Sequence, residues 1–167
     1  TAIRFMDNGG FTGAGSFGTG MLVRSDAGTA ITATGALTMG NSSNVSGMIC
    51  DGALSVGANT VTLRDADRAD LGGPVSITGG ILQSTNGIRL TSAGSITGSG
   101  QVGIGRFISD AGSVITAIGD GLTLGDPNQV GGAGLGGELH VGASTVGLRS
   151  LRDVGLGTLT TIAGGVL

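Results

Sequence analysis

Residues 52–63 read GALSVGANTVTL, and residues 137–148 read GELHVGASTVGL. The second stretch begins 85 positions after the first and repeats its Val-Gly-Ala step and its closing leucine. The same offset aligns AIRF at 2–5 with GIRL at 87–90. A match that persists at one offset predicts that the chain contains two tandem copies of one module.

The two copies are predicted to occupy residues 1–85 and 86–167 and to fold as one continuous unit. SDAGTAITATG at 25–35 aligns with SDAGSVITAIG at 109–119 one residue out of step, and Asp120 then restores the offset. The second copy stops in the phase at which the first continues without a break. We therefore expect the chain to be a segment of a longer array, or to continue into identical neighbours.

Composition restricts the fold class. The 167 residues include 37 glycines but only 2 prolines, and the glycines do not recur at every third position, which excludes collagen. Hydrophobic residues make up 39% of the chain, so there is enough apolar surface to form a core. Thr, Val, Ile and Ser are abundant, whereas the helix-favouring residues Glu, Lys and Gln are scarce. We predict an all-β protein.

A shorter theme, in which glycines flank an apolar-polar-apolar triplet, recurs inside each copy. It occurs as GALTMG at 35–40, GALSVG at 52–57, GLTLG at 121–125 and GELHVG at 137–142. Such alternation is typical of a short strand with one buried face. The flanking glycines permit tight bends.

The spacing of these triplets favours a parallel β-helix, a β-solenoid in which each coil stacks on the one before. Leu37, Leu54 and Val75 lie 17 and 21 positions apart, which suits one coil and is too long for strands joined by two-residue hairpins. Each copy then holds about four or five coils. The alternative is two β-sandwich domains of about 80 residues each, and the scarcity of core aromatic residues argues against it.

Alignment of the copies also indicates which residues are buried. Cys50 aligns with Leu135, so Cys50 is predicted to be a small hydrophobic residue of the core. At the offset of 85, Leu22 aligns with Phe107, and we expect these two side chains to occupy equivalent core positions.

Runs such as GALTMG, GALSVGANTVTL and SITGG resemble the strand-repeat regions of large secreted bacterial surface proteins. The resemblance, to filamentous-haemagglutinin-like adhesins and autotransporter passengers, covers nearly the whole chain and lies in composition and rhythm. It implies a parallel β-helix that serves as a long extracellular stalk or fibre. It also implies export, and hence an extracellular or cell-surface location.

Charge and hydropathy argue against two classes of partner. The formal net charge is −3, so a nucleic-acid-binding surface is not expected. No apolar run approaches the roughly 18 residues of a membrane-spanning helix. Cys50 is the sole cysteine, so no disulfide is expected within the chain.

The densest group of charges is LRDADRAD at 63–70, with carboxylates at Asp65, Asp67 and Asp70. Paired carboxylates can bind calcium or act as general acid and base. In the second copy all three positions change, to Ser150, Arg152 and Gly155. We therefore expect a solvated loop between coils whose charges pair locally, and no catalytic or metal site.

Some charged residues persist in both copies. The retained arginines are Arg4 with Arg89, and Arg64 with Arg149. We expect them to form salt bridges between coils or between subunits. Asp26 and Asp110, in the two SDAG sequences, are predicted to cap turns through side-chain hydrogen bonds.

The remaining motifs are interpreted as structural. His140 is the only histidine and is expected to point outward, and without a second histidine or a Cys–His spacing no zinc site is predicted. The G-x-G runs at 18–20 and 103–105 precede strand-forming residues rather than a helix, so we expect turns and not phosphate-binding loops. No cofactor is expected.

Taken as a whole, these features favour a structural module of an extracellular bacterial fibre, stalk or adhesin, and not an enzyme. The expected partner is the chain itself, through end-to-end stacking of coils. A host surface or an extracellular polysaccharide could be a further partner. The alternative is a β-helix protein that binds or cleaves polysaccharide.

Overall fold

The computed structural model describes residues 1–103, 105–157 and 159–167. Ile104, in the G-x-G run at 103–105, and Thr158, in the last stretch of the second copy, lie outside the described residues. Every regular element of the described ranges is a strand. Those ranges contain no helix of the length and apolarity that crossing a membrane requires.

The strands, in chain order, are β1 (Ala2–Phe5), β2 (Gly10–Phe17), β3 (Leu22–Ser25), β4 (Ala30–Asn41), β5 (Met48–Cys50), β6 (Ala53–Gly57), β7 (Thr60–Asp65), β8 (Ala69–Leu71), β9 (Pro74–Ser84), β10 (Gly87–Leu90), β11 (Ser95–Val102), β12 (Arg106–Ser109), β13 (Val114–Gly125), β14 (Ala133–Leu135), β15 (Glu138–Val141), β16 (Val146–Arg149) and β17 (Leu159–Ile162). They form two sheets. The first sheet has the order β1-β3-β5-β8-β10-β12-β14. The second has the order β17-β15-β13-β11-β9-β6-β4-β2, with β16 beside β13 and β7 between β4 and β9.

All the pairings between these strands are parallel, and each strand pairs with its counterpart one coil earlier or later. The molecule is therefore a parallel β-solenoid of about eight coils, as predicted, and the β-sandwich alternative is wrong. Each coil contributes one segment to the first sheet and two successive segments to the second. At about 4.8 Å per step, seven steps give a stack roughly 34 Å tall.

Coil length varies more than the sequence spacing suggests. Along the first sheet the step between paired residues is 19 at Gly87–Arg106 and 26 at Phe107–Ala133. The 26-residue coil includes the connection 126–132, and an equivalent connection at 42–47 lengthens an earlier coil. Val130 and Val45 on these two connections are 60% and 70% exposed. We call them the long corner loops.

The predicted step of 17 from Leu37 to Leu54 does not join equivalent positions. Leu37 pairs with Val61, and Leu54 pairs with Val75. The two leucines occupy different segments of successive coils. The expectation was wrong at this point because the same glycine-bounded triplet occurs in both segments of the second sheet.

One sequence repeat of 85 residues corresponds to four coils. β1 begins at Ala2 and β10, four positions along the first sheet, begins at Gly87. The one-residue slip lies earlier than the simple alignment placed it, in the turn before β3 and β12. Phe107 is therefore the counterpart of buried Val23, whereas Leu22 is 36% exposed, so the expected equivalence of Leu22 and Phe107 is wrong.

Side chains that point inward stack from coil to coil and form the core. Three such columns, one for each segment, are Val23-Met48-Ala69-Ile88-Phe107-Ala133, Ile31-Leu54-Val75-Ile96-Ile115-Leu139 and Leu37-Val61-Leu82-Val102-Leu124. Cys50 is 1% exposed, which confirms its predicted place in the core. Burial raises the pKa of its thiol.

The close spacing of coils makes glycine necessary at particular corners. Gly98 has a φ of 144°, and a Cβ built there would overlap the carbonyl oxygen of Ile77 in the neighbouring coil. Gly142 directly follows β15 of the same sheet, yet no atom lies within 4 Å of a Cβ built there and its φ is not positive. The two glycines differ in what the packing demands.

We expect Gly98→Ala to lower the stability of the folded chain by about 2 kcal/mol, because the neighbouring backbone must move to admit the methyl group. The melting temperature should fall by roughly 4–8 °C. Gly142→Ala is the matched control and should leave the melting temperature within about 2 °C. Equal melting temperatures for the two variants would show that the coils are not packed as closely as described.

Candidate functional site

Charged residues line the outer face of the first sheet. Arg4 and Arg24 occupy paired outward positions of β1 and β3, and Asp70 and Arg89 occupy paired outward positions of β8 and β10. We call these four residues the charged row. Each of the four is more exposed than the residues before and after it in its strand, as expected where successive residues point to opposite faces of a sheet.

In the first copy the charged row is neutralised by carboxylates from the following turns. Arg4 Nη2 lies 2.8 Å from Asp26 Oδ2, and Arg24 contacts both Asp26 Oδ1 at 3.3 Å and Asp51 Oδ2 at 3.4 Å. The hydrogen bond from Arg4 holds the pKa of Asp26 below its usual value. The pairs Arg4–Asp26 and Arg24–Asp51 join successive coils, whereas Arg24–Asp26 joins a strand to the turn that follows it.

The second copy repeats this arrangement. Arg89 Nη2 donates to Asp110 Oδ2 at 2.7 Å, and Arg89 Nε donates to the same carboxylate. The predicted salt bridges between coils are thus confirmed for Arg4 and Arg89. Arg64 instead donates to Ser42 Oγ at 3.2 Å, and neither Arg64 nor Arg149 makes an ion pair with any described residue. For these two arginines the expected salt bridge between coils is absent from the described residues, and a salt bridge between subunits stays a prediction.

The SDAG turns are closed differently from the prediction. The carboxylates of Asp26 and Asp110 bind arginines, and it is their backbone carbonyls that close the turns. Thr29 Oγ1 donates to the Asp26 carbonyl at 2.7 Å, and Ser113 Oγ donates to that of Asp110 at 2.7 Å. A hydroxyl residue three positions after each aspartate was the signal in the sequence for this turn.

The corner formed by LRDADRAD is not uniformly solvated. Asp65 is 1% exposed, and its carboxylate accepts hydrogen bonds from the backbone N–H of Met48 at 3.0 Å and of Asp67 at 2.9 Å. The interpretation of this residue as part of a solvated loop was therefore wrong. Asp67 and Arg68 do pair locally, with 3.2 Å between Oδ2 and Nη2.

The three carboxylates of this corner do not converge on one point. Asp65 points into the chain as a cap for two backbone groups, Asp67 is exposed, and Asp70 belongs to the charged row. Burial raises the pKa of Asp70, and the charge of Arg89 opposes that effect. Among the residues described, no three His, Cys, Asp or Glu side chains are placed to hold a metal ion.

The outer face of the second sheet carries a line of hydroxyl side chains, broken at one coil by His140, which the sequence analysis did not identify. Strand register places the following residues in one line along the solenoid axis: Thr12, Thr32, Ser55, Ser76, Thr97, Thr116, His140 and Thr161. We call this line the hydroxyl row. Its threonines and serines recur once per coil, and unequal coil lengths hide that period in the sequence.

The hydroxyl row borders a shallow groove of about 230 Å³ whose floor and walls include Ala30, Ala53, Pro74 and Ser95. Within the described part of the chain, the hydroxyls of the row make no hydrogen bond to protein. His140 interrupts the row, points outward as predicted, and has its Nε2 3.1 Å from Glu138 Oε2.

Asp65→Asn should destabilise the fold by about 1–3 kcal/mol, because an amide can accept at only one of the two positions where the carboxylate meets an N–H donor. Asp67→Asn is the matched control and should change stability by less than about 0.5 kcal/mol, since Asp67 is exposed. Urea denaturation followed by circular dichroism measures both. If Asp65→Asn were as stable as Asp67→Asn, the capping role would be wrong.

Comparison with known proteins yields no relative. No family model matches the chain, and no curated protein and no solved structure matches it. The fold itself, a parallel β-solenoid, is therefore the level at which this molecule is classified.

Proposed function

We propose that this chain is a structural module of an extracellular bacterial fibre, stalk or adhesin. The observation that carries the proposal is the uninterrupted stack: strands of the two sequence copies pair across their boundary with the same parallel pattern as within each copy. A solenoid of this kind lengthens by adding coils without altering the ones already present.

A coil added to the described stack would meet the same pairing surface that every inner coil uses. Within the described residues, β1 and β2 pair on one side only, with β3 and β4, and β17 pairs only with β15. The outward edges of these strands carry backbone N–H and C=O groups that a further parallel strand would satisfy. End-to-end stacking of modules provides that strand.

The resemblance to the strand-repeat regions of filamentous-haemagglutinin-like adhesins and autotransporter passengers supports the same proposal. It adds the cell surface or the extracellular medium as the location. The salt bridges of the charged row fit a rod, because they join successive coils. Since Arg4 is exposed and Arg89 is only partly buried, these salt bridges add little to stability.

The 167-residue chain should self-associate as its concentration is raised, because the open ends of separate molecules complement one another. Static light scattering should give a mass that increases with concentration, and negative-stain electron microscopy should show rods of constant width and variable length. A single monomeric mass across the whole concentration range would contradict the stacking proposal.

A second candidate, binding of an extracellular polysaccharide, is favoured by the hydroxyl row. Its hydroxyls recur at about 4.8 Å in every coil from Thr12 to Thr116, and they are free to exchange hydrogen bonds with a sugar chain laid along the axis. The adjacent groove is open and shallow, which suits an extended polymer better than a small ligand. The buried position of Asp65 does not favour cleavage.

If the hydroxyl row binds polysaccharide, Thr97→Val should weaken co-sedimentation with an insoluble neutral polysaccharide such as cellulose or chitin by at least about threefold, since one hydrogen bond is lost. Thr123→Val, on the other segment of the second sheet, is the matched control and should bind as the unmodified chain does. Equal binding by both variants, or no binding by any, would remove this candidate.

A further inference from the structure

The junction between the fourth and fifth coils shows how one copy of the module receives the next. In the first sheet Leu71 of β8 pairs with Leu90 of β10. In the second sheet Leu82 of β9 pairs with Val102 of β11. The apolar columns therefore pass from the end of the first copy to the start of the second without a break. We call this the internal joint.

The two ends of the described stack carry the counterparts of this joint. The last coil has Leu156 and Leu167 at the positions of Leu71 and Leu82, each 85 residues later. The first coil has Phe5 and Phe17 at the positions of Leu90 and Val102, each 85 residues earlier. In the internal joint these positions meet, whereas at the ends of the stack they face no other coil.

Apolar exposure is concentrated at these two ends. In the last coil and the corner before it, the exposed large hydrophobic residues among those described are Leu151, Leu156, Leu159, Ile162, Val166 and Leu167. In the first coil and the turn into the second, they are Met6, Met21 and Leu22. Leu156 and Leu167 are 51% and 44% exposed, although their counterparts in the internal joint are fully buried. Leu156 and Leu167 therefore hold the column positions that the internal joint covers with the next coil.

The surface of the first coil is aromatic. The ring centroids of Phe5 and Phe17 are 5.6 Å apart, and those of Phe11 and Phe17 are 4.6 Å apart. The three rings are partly buried and pack against the core. They present an apolar surface across all three segments of the coil, where the internal joint has smaller side chains, and such rings contribute strongly to interface energy.

We infer that the last coil of this chain receives the first coil of a second copy in the register of the internal joint. This inference rests on the structural function proposed above and specifies the partner and the contacts of its ends. Leu156 stacks on Phe5 of the second copy, Leu167 stacks on Phe17, and Thr160 meets Phe11. Thr161 and Thr12, which correspond to Ser76 and Thr97 of the internal joint, lie side by side on the outer face.

The register can be tested by a disulfide between molecules. Cα atoms of paired residues on adjacent parallel strands are about 4.8 Å apart, which is within the range that a disulfide spans. In the double variant Thr12→Cys with Thr161→Cys, the two sites of one molecule are about 34 Å apart and cannot join. Cys50 is buried and does not interfere. Mild oxidation should give a ladder of covalent dimers and higher oligomers on a non-reducing gel.

The matched control moves one cysteine by two residues, in the double variant Thr12→Cys with Leu159→Cys. Position 159 is on the same face of the last coil, yet its Cα would lie about 8 Å from that of position 12 in the inferred register, too far for a disulfide. The control should give less than about a tenth of the cross-linked product. Equal cross-linking of both pairs, or more with the control, would overturn the register.

The apolar contact is tested separately. Leu156→Asp places a charge where the inferred joint has an apolar column, and it should reduce the association constant measured by light scattering at least tenfold. Val45→Asp introduces the same charge at an exposed side chain of a long corner loop and should have no effect. Equal association of the two variants would exclude the end surface as the contact.

The outcomes separate the inference from the function on which it rests. Self-association of the unmodified chain without cross-linking at positions 12 and 161 would reject the register and leave the structural proposal standing. Absence of self-association at every concentration would reject both. Cross-linking at 12 and 161 together with loss of association in Leu156→Asp would establish the joint.

Discussion

Parallel pairing of each coil with the next is the constraint on which the rest of the structure depends. Because a strand segment must exchange backbone hydrogen bonds with the segments above and below it, inward residues lie on inward residues and outward residues on outward ones. A slip of one residue would exchange the two faces and bury the polar set. The apolar columns, the charged row and the hydroxyl row are three results of the same register.

The same constraint explains how variation is tolerated. The molecule accommodates coils that differ in length by several residues because the excess is placed in corner loops and at register shifts between the two segments of the second sheet. It also accommodates side chains of different volume at equivalent positions of a column, such as Val23 and Phe107. The larger side chain is compensated by a smaller neighbour in the adjacent coil, as Phe107 is by Ala133. Glycine is required where two backbones approach closely, as at Gly98, and also where φ is positive in open space, as at Gly79.

Much of the fold could be predicted from the sequence, because repetition and alternation are direct expressions of register. The all-β class, the parallel solenoid and the buried position of Cys50 follow from patterns that survive any small error of alignment. Assignment of Leu37 and Leu54 to their segments did not follow, since both segments of the second sheet use the same triplet. The slip before Phe107 was misplaced for a related reason: β12 is one residue closer to the preceding strand than β3 is, and only strand pairing shows that the shift comes before both strands.

Polar groups were harder to predict than apolar ones. The salt bridge of Arg89 could be anticipated because its equivalent recurs in the other copy, but the burial of Asp65 could not. Its neighbours in sequence are charged, and the backbone donor from Met48 that it satisfies lies 17 residues away. The hydroxyl row escaped notice because its members are separated by unequal numbers of residues and become a line only when the coils are stacked.

The long corner loops at 42–47 and 126–132 have a geometric consequence of their own. They leave the same edge of the solenoid four coils apart, which corresponds to about 19 Å along the axis. In an array of such modules the long corner loops would project at this regular spacing, each with an exposed valine. Such an array would keep the paired strands uniform from coil to coil and would display the loops at a fixed interval.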